Sequence, residues 1–217
     1  MIITTFNVRG LWGSVKRKKL RELISQNNIK FLAIQETKME EISNSFCCRI
    51  WGSDDCDWAF LPSEGNSGGI LSIWRKSTSN VISKVVGEGF VGVCLELGVL
   101  KHKFVTIKVY SKCDLEAKKR LWDRLVELRR ELGVAAWCIL GDFNVVSHPE
   151  ERRGVNEVPS ASQRLEMNLF NLFLREVELE DLRLLGRRFT WYVLKEKLKG
   201  LKMGIKGWYK EEYAEIE

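Results

Sequence analysis

Histidine and proline are scarce in this sequence of 217 residues, which contains two of the first and three of the second. No apolar run is long enough to cross a membrane, so we expect no membrane contact. The six cysteines include no Cys-x-x-Cys pair, which argues against a zinc knuckle. The chain opens without a basic leader followed by a long apolar run, so we expect no secretory signal. These absences predict an intracellular protein with reduced cysteines.

The remaining composition is that of a folded domain. Hydrophobic residues make up 45% of the chain and charged residues 29%, which excludes a disordered or low-complexity protein. One domain, or one domain with an appendage, is expected at this length. The net charge of +6 gives a mild attraction toward polyanions, and no obligate protein partner is evident.

Strand-like and helix-like patterns alternate along the chain. The predicted helices span residues 15–28, 115–132 and 162–176. The predicted strands span residues 2–8, 31–34, 58–61, 69–74, 81–86, 91–97, 104–110, 137–140 and 188–191. An early strand–helix–strand unit, a run of strands, and a further helix and strand together predict a layered α/β fold with mixed sheets.

The last part of the chain has a different pattern. Apolar residues recur there at alternating spacings of four and three, which predicts an amphipathic helix; they are Leu194, Leu198, Leu201, Ile205 and Trp208. Lysine and glutamate fill the other faces. We therefore predict a domain over residues 1–191 and a lysine-rich helical linker over residues 192–217.

Polar side chains follow several of the predicted strands. Asn7, Glu36 and Tyr110 each lie at the end of one strand, and Asp142 and Asn144 follow another. Strand ends in layered α/β folds converge on a shared crevice. A hard cation such as Mg²⁺ needs only one or two carboxylates, which Glu36 and Asp142 can supply. Taken singly, a Glu, Asp or Asn at such a position is most often a turn or surface residue, and Tyr110 is equally consistent with a core aromatic whose tip faces solvent.

The basic run Lys16-Arg17-Lys18-Lys19 lies at the start of the first predicted helix. Such a run is typical of a nuclear address or of a phosphate-binding patch. The alternative is that these side chains form the solvated face of the helix.

The order in which the polar motifs occur is more informative than any single motif. The sequence contains, in this order, Phe6-Asn7-Val8-Arg9-Gly10, Ile34-Gln35-Glu36-Thr37-Lys38, Ser67-Gly68-Gly69-Ile70, Val109-Tyr110 and Leu140-Gly141-Asp142-Phe143-Asn144. This set resembles the endonuclease/exonuclease/phosphatase family, which has a DNase I-like fold. Glu151-Arg152-Arg153-Gly154 and Gly186-Arg187-Arg188-Phe189-Thr190-Trp191 are similar to the apurinic-type endonuclease domain of plant non-LTR (LINE-type) retrotransposons.

The resemblance implies a role for each residue at a strand end. Glu36 would bind Mg²⁺ or Mn²⁺, and Asn7 would contact the metal-bound phosphate region. Tyr110 would brace the scissile phosphate, and Asn144 would help to hold it. Asp142 would position or deprotonate the attacking water. The implied reaction is Mg²⁺-assisted hydrolysis of a DNA phosphodiester.

DNA is the partner that the resemblance implies, with weak and salt-sensitive binding. The basic residues expected to contact it are Lys16, Arg17, Lys19, Arg187 and Arg188. A DNA substrate also predicts a nuclear location. The alternatives are a non-catalytic nucleic-acid-binding remnant, a relative acting on phosphoinositides, RNA tails or sphingolipids, and a product without function.

The sequence departs from the family at its end. The family closes with a Ser-Asp-His motif, whereas the last aspartate here is Asp181 and the last histidine is His148. The resemblance therefore implies a domain without its last strands, and we hypothesise an internal deletion near residues 191–194 that joins the domain to its linker. Impaired or absent activity is expected. A smaller departure is Lys108-Val109-Tyr110-Ser111-Lys112, where the family usually has Asn-Val-Tyr-Ala-Pro.

Overall fold

The computed structural model describes residues 1–98, 101–151 and 159–180. Within them the chain forms eight strands and four α-helices. In chain order these are β1 (Ile3–Asn7), α1 (Ser14–Gln26), β2 (Phe31–Gln35), α2 (Asn44–Trp51), β3 (Asp57–Glu64), β4 (Ser67–Trp74), β5 (Ser79–Gly87), β6 (Phe90–Leu97), β7 (His102–Tyr110), α3 (Leu115–Leu132), β8 (Ala136–Asp142) and α4 (Ala161–Glu176).

The strands form two four-stranded sheets with the orders β1-β2-β4-β3 and β5-β6-β7-β8. The pairs β1–β2 and β7–β8 are parallel, and the remaining pairs are antiparallel. Each parallel pair is joined by a helix, because parallel neighbours need a crossover connection. The prediction of a layered α/β fold with mixed sheets is confirmed.

The two sheets pack face to face around an apolar layer. Phe31 and Trp74 of the first sheet stack with ring centroids 5.8 Å apart, in the same cluster as Val91 and Leu95 of the second sheet. Every residue of β2 is buried, since this strand is covered on both faces. The sheets are thereby held as the two inner layers of a sandwich.

Helices cover the outer face of the first sheet. Leu20 and Ile24 of α1 are buried in an apolar cluster that also contains residues of α2. Helix α2 was missing from the sequence prediction, because its eight residues are too short for a clear apolar period. It begins after Ser43, whose hydroxyl accepts a hydrogen bond from the backbone N–H of Phe46, and ends at Gly52 with φ of 95°.

The outer face of the second sheet is covered by α3 and α4. Trp122 of α3 lies 5.5 Å from Phe170 and 6.0 Å from Phe173 of α4, measured between ring centroids. Helix α4 begins with a capping box in which Ser160 and Gln163 exchange side-chain and backbone hydrogen bonds. These contacts complete a four-layer sandwich.

Several predictions concern residues outside the described ranges. They are the strand over 188–191, the helical tail and the domain boundary at residue 191. In the described part of the chain, no helix has the length and apolar content needed to cross a membrane. All six cysteines are free thiols; Cys94 is buried within β6, whereas Cys138 of β8 is half-buried.

Candidate active site

Four of the predicted residues lie at the carboxyl ends of the two parallel strand pairs. Asn7 ends β1 opposite Gln35 of β2, and Glu36 follows directly. Tyr110 ends β7 opposite Asp142, the last residue of β8. Each side chain is half-buried, so it is held by the fold and still reaches solvent.

The two strand-end pairs meet across the sandwich. A Cβ on Gly68 would lie 3.9 Å from the Tyr110 ring, so the backbone of β4 passes directly against this ring. The carbonyl of Gly68 accepts a hydrogen bond of 3.1 Å from the backbone N–H of Lys38, two residues after Glu36. Burial raises the pKa of Tyr110, and the nearby charges of Glu36 and Asp142 raise it further. One cleft therefore contains both carboxylates and the phenol.

Asn7 and Glu36 form the first half of the cleft. The side-chain amide of Asn7 donates a hydrogen bond of 2.5 Å to Oε1 of Glu36. The amide oxygen of Asn7 accepts one of 3.2 Å from the backbone N–H of Arg9. Glu36 has φ of 55°, which is uncommon for residues other than glycine. Its backbone carbonyl accepts a hydrogen bond of 2.7 Å from the N–H of Gly10. The carboxylate is thus fixed from both adjacent loops.

Gly69 explains the glycine pair of the third motif. A Cβ at this position would lie 2.2 Å from Oγ1 of Thr37 and 3.3 Å from the backbone nitrogen of Lys38. The carbonyl of Gly69 accepts a hydrogen bond of 3.1 Å from the N–H of Thr37. Only glycine lets β4 approach the loop of Glu36 this closely.

Asp142 and Asn144 form the second half of the cleft. Oδ1 of Asp142 accepts a hydrogen bond of 2.9 Å from the backbone N–H of Asn144, which has φ of 52°. One N–H of the Asn144 side chain donates to the carbonyl of Ser111, directly after Tyr110. Oδ2 of Asp142 has no hydrogen-bond partner among the described residues, and Asp142 is half-buried.

Two buried lysines, which the sequence analysis did not identify as site residues, support the cleft. Lys108 of β7 reaches across the sandwich and donates to Thr5 of β1 at 2.6 Å and to Oε1 of Gln35. Burial lowers the pKa of Lys108 to about 7, although the charge of Asp142 opposes this shift. A neutral amine has two N–H groups, which match these two acceptors. The second lysine is Lys118 of α3.

Lys118 of α3 holds the Asp142–Asn144 turn. Its ammonium donates to the carbonyl of Asn144 at 2.6 Å and forms an ion pair with Glu166 of α4. The side chain of Lys118 is 3% exposed, and its charge is therefore compensated inside the protein. The sequence gives no sign that Lys118 is buried, because a lysine in a predicted helix is typical of a solvent-facing residue.

The donor set of the cleft fits a hard divalent cation. Glu36 would hold it through the carboxylate oxygen that Asn7 does not occupy, and Asp142 lies in the same cleft. Across residues 1–98, 101–151 and 159–180, no three His, Cys, Asp or Glu side chains cluster tightly enough to enclose a metal. Mg²⁺ is suited to so few protein ligands because it retains several waters, whereas a zinc site would need His or Cys.

Two of the predicted DNA-contacting residues of α1, Lys16 and Arg17, bind the loop that follows Asn7. Lys16 donates to three backbone carbonyls, those of residues 8, 9 and 10, at 2.8, 3.2 and 3.0 Å. Arg17 donates to the carbonyls of Leu11 and Trp12. Lys19 pairs with Glu22 on the surface. Contact of these residues with DNA stays a prediction, and Arg187 and Arg188 lie outside the described ranges.

Neither histidine is built into the cleft. His102 is exposed at the start of β7, eight residues from Tyr110, which is roughly 26 Å along a strand. His148 is exposed in the loop after β8. Both histidines are therefore exposed to solvent.

Comparison with known proteins agrees with this architecture. The model of the Endonuclease/Exonuclease/phosphatase family matches residues 4–194. No curated protein matches the chain in sequence. Among solved structures, the AP endonuclease LMAP from Leishmania major is 14% identical with a TM-score of 0.57, over 81% of this chain and 66% of that one.

Two further AP endonucleases have the same fold. The APE2 catalytic domain of Xenopus laevis is 15% identical with a TM-score of 0.55, over 80% of this chain and 67% of that one. An AP endonuclease from Archaeoglobus fulgidus is 18% identical with a TM-score of 0.52, over 81% and 70%. The chain spans about two thirds of the length of these proteins. The family match covers most of the sequence and the solved structures share its DNase I-like sandwich, so the chain belongs to the endonuclease/exonuclease/phosphatase family.

Proposed function

We propose that this chain is a Mg²⁺-dependent phosphodiesterase domain that acts on DNA, with poor turnover in its 217-residue form. The observation that carries the proposal is the convergence of Glu36, Tyr110 and Asp142, from strand ends of both sheets, on one half-buried cleft. Two carboxylates beside a hydrogen-bond donor suit a phosphodiester, which needs its negative charge offset and a water activated.

Glu36 would hold the ion, which when bound offsets charge on the phosphate oxygens and the leaving group. Asn7 keeps Glu36 oriented toward the cleft through its hydrogen bond of 2.5 Å. Tyr110 stays protonated at neutral pH, because burial and both carboxylates raise its pKa. Its hydroxyl can therefore donate to a phosphate oxygen, and the remaining N–H of the Asn144 side chain can donate to another.

Asp142 would act on the attacking water. Its Oδ1 is held by the backbone N–H of Asn144 at 2.9 Å, so Oδ2 has a fixed direction. A carboxylate held in this way accepts the proton of a water that attacks the phosphorus atom. Lys118 stabilises the same turn by donating a hydrogen bond to the carbonyl of Asn144.

DNA is favoured over a small phosphate ester by the charge of the protein. The net charge is +6, and Arg17, Lys18, Arg21 and Arg49 line a cavity of about 500 Å³ beside the start of α1. Such a basic surface attracts the phosphate backbone. Three solved structures that share the fold with TM-scores above 0.5 are AP endonucleases, which supports the same choice.

Poor turnover is proposed because the chain supplies no histidine to the cleft. Neither His102 nor His148 is held at the cleft, and no histidine follows in the sequence. Loss of a group that transfers a proton to the leaving oxygen costs roughly two to four orders of magnitude in rate. The alternative function is non-catalytic binding of nucleic acid, supported by the same basic residues.

An origin in a plant non-LTR retrotransposon is proposed from the sequence motifs alone. Glu151-Arg152-Arg153-Gly154 and the segment 186–191 support it, and they precede a lysine-rich tail similar to the linker of such elements. Sequencing genomic DNA across residues 191–194 tests the hypothesised deletion. An intervening coding segment with a Ser-Asp-His motif would contradict it.

A pair of substrates tests the function. Bis(p-nitrophenyl) phosphate has a leaving group that needs no proton, so its hydrolysis should depend on the ion and Asp142 and be insensitive to a missing histidine. We expect Mg²⁺- or Mn²⁺-dependent hydrolysis that Glu36→Ala abolishes and that Glu40→Ala, an exposed neighbour, leaves unchanged. Nicking of supercoiled plasmid should not exceed that of Glu36→Ala.

Each substrate has its own contradicting result. Hydrolysis of the activated diester without metal would overturn the proposed Mg²⁺ dependence. Absence of hydrolysis would overturn the phosphodiesterase proposal and favour the non-catalytic alternative. Robust Mg²⁺-dependent plasmid nicking that Glu36→Ala abolishes would support the phosphodiesterase and overturn the proposal of poor turnover.

A further inference from the structure

Trp12 is the one tryptophan that is exposed among the residues the structure describes, with 68% of its surface accessible to solvent. It lies in the loop between β1 and α1. An aromatic ring of this size normally contributes buried area, and here it contributes little to the core. The fold therefore gives no packing reason for this side chain.

The indole is nonetheless held in one orientation. Its Nε1 donates a hydrogen bond of 2.8 Å to the carbonyl of Lys38, in the loop after β2. The two loops are joined further by the N–H of Leu11, which donates to the carbonyl of Thr37 at 2.9 Å. Fixing an exposed side chain costs conformational entropy without the return from burial.

Side chains of α1 also fix the loop that carries Trp12. Lys16 binds the carbonyls of residues 8–10, and Arg17 binds those of Leu11 and Trp12. Arg17 also lies over the ring of Phe46, with its guanidinium carbon 5.5 Å from the ring centroid. Two basic side chains therefore order five consecutive carbonyls, and the loop presents the ring of Trp12 on a rigid support.

The position of the ring relative to the cleft suggests what it contacts. Lys38, which holds the indole, is two residues from Glu36, so the two backbones are at most about 7 Å apart. The carbonyl that holds the indole therefore belongs to the same loop as the residue proposed to bind the ion. Beyond Trp12, at the start of α1, is the basic cavity lined by Arg17, Lys18, Arg21 and Arg49. The surroundings of the ring suit an aromatic ligand that carries phosphates.

We propose that Trp12 is a stacking platform for a nucleobase that flanks the phosphodiester bound at Glu36. This inference rests on the proposed function and narrows its substrate. A base inside a duplex is already stacked on its neighbours, so the platform selects DNA with an unpaired base beside the target phosphate, as in a single strand, a gap or an overhang. Stacking on an aromatic ring tolerates any base, because every base has a π-face.

The test separates base contacts from phosphate contacts. Binding of the full 217-residue chain to a short single-stranded DNA is compared with binding to an oligomer of equal length and charge whose sugars lack bases. We expect Trp12→Ala to weaken binding of the first by about fivefold to a hundredfold and to leave the second unchanged. Trp12→Phe, which keeps a ring, should lose much less affinity than Trp12→Ala.

Leu172→Ala is the control for removal of an exposed apolar side chain, since Leu172 is 57% exposed on α4. It should bind both oligomers as the unaltered protein does. Equal losses on both oligomers in Trp12→Ala, or no loss on either, would overturn the platform and leave the phosphodiesterase proposal standing. Absence of binding to any oligomer by the unaltered chain would overturn both.

Discussion

Asn7 and Glu36, which end neighbouring parallel strands, are joined by a hydrogen bond of 2.5 Å from the asparagine amide to Oε1 of the carboxylate. The oxygen of the same amide is held at 3.2 Å by the backbone N–H of Arg9. Asn7 therefore links the loop after β1 to Glu36, the residue proposed to bind the ion. Such supporting contacts commonly affect metal affinity nearly as much as the ligands themselves.

Asn7→Ala removes this support without removing the carboxylate. We expect the affinity for Mg²⁺ to fall by about 10- to 100-fold, since Glu36 would lose its fixed orientation. Isothermal titration calorimetry with Mg²⁺ measures the change. The variant Asn28→Ala, at a loop asparagine after α1, is the matched control and should bind as the unaltered chain does. Equal affinity in Asn7→Ala would show that the contact has no role in binding.

Lys108 predicts how stability depends on pH. Its pKa is about 7 in the folded protein, against 10.5 in the unfolded chain, because the amine is buried. The unfolded chain therefore binds more protons between these values, and the contribution of Lys108 to stability rises with pH through this window by up to about 1.4 kcal/mol per unit. Below pH 7 both states are protonated and the contribution becomes constant.

Lys108→Met tests this dependence. The variant has no titrating group at the position, so its free energy of unfolding should change less between pH 7 and pH 10 than that of the unaltered chain. Urea denaturation at several pH values measures both. Lys103→Met, at an exposed residue of the same strand, should keep the slope of the unaltered chain. Parallel pH profiles for the Lys108→Met and unaltered proteins would contradict the lowered pKa.

Gly141 is a steric requirement of the turn that presents Asp142. It has φ of +144°, and a Cβ there would lie 1.9 Å from the carbonyl oxygen of Val109 on the neighbouring strand. The close atom belongs to the backbone and cannot rotate away. We expect Gly141→Ala to lower the free energy of unfolding by at least about 2 kcal/mol more than Gly98→Ala.

Gly98 is the appropriate comparison because it has φ of +68° but open space around its Cβ position. The difference between the two variants in urea denaturation therefore reports the steric clash more than the preference for glycine at positive φ. Equal destabilisation by the two substitutions would show that β7 and β8 can separate at this point at no cost.

The sequence predicted the strand ends of the site well, because Asn7, Tyr110 and Asp142 each lie within two residues of the end of a predicted strand. It could not identify Lys108, since a lysine in an alternating strand is typical of a solvent-facing position. Its partners Thr5 and Gln35 are 103 and 73 residues away in the chain, and only the packing of the sheets brings them together.

The basic run of α1 shows a different limit. Its composition predicts phosphate binding, but the structure directs Lys16 and Arg17 to backbone carbonyls of the preceding loop. That arrangement depends on the left-handed conformation of Arg9, with φ of 47°, and on the hydrogen bonds between two loops. Neither has a clear signal in the sequence. Helix α2 was missed for the simpler reason that it is short.

The central claim is that Glu36, supported by Asn7 and in the same cleft as Asp142, forms a single hard-cation site. Binding of Mn²⁺, followed by the loss of the free-ion signal in electron paramagnetic resonance, tests it most directly. The account predicts one Mn²⁺ site per chain that Mg²⁺ displaces, that Glu36→Ala abolishes and that Glu40→Ala retains. Equal Mn²⁺ binding by the unaltered chain and Glu36→Ala would contradict it.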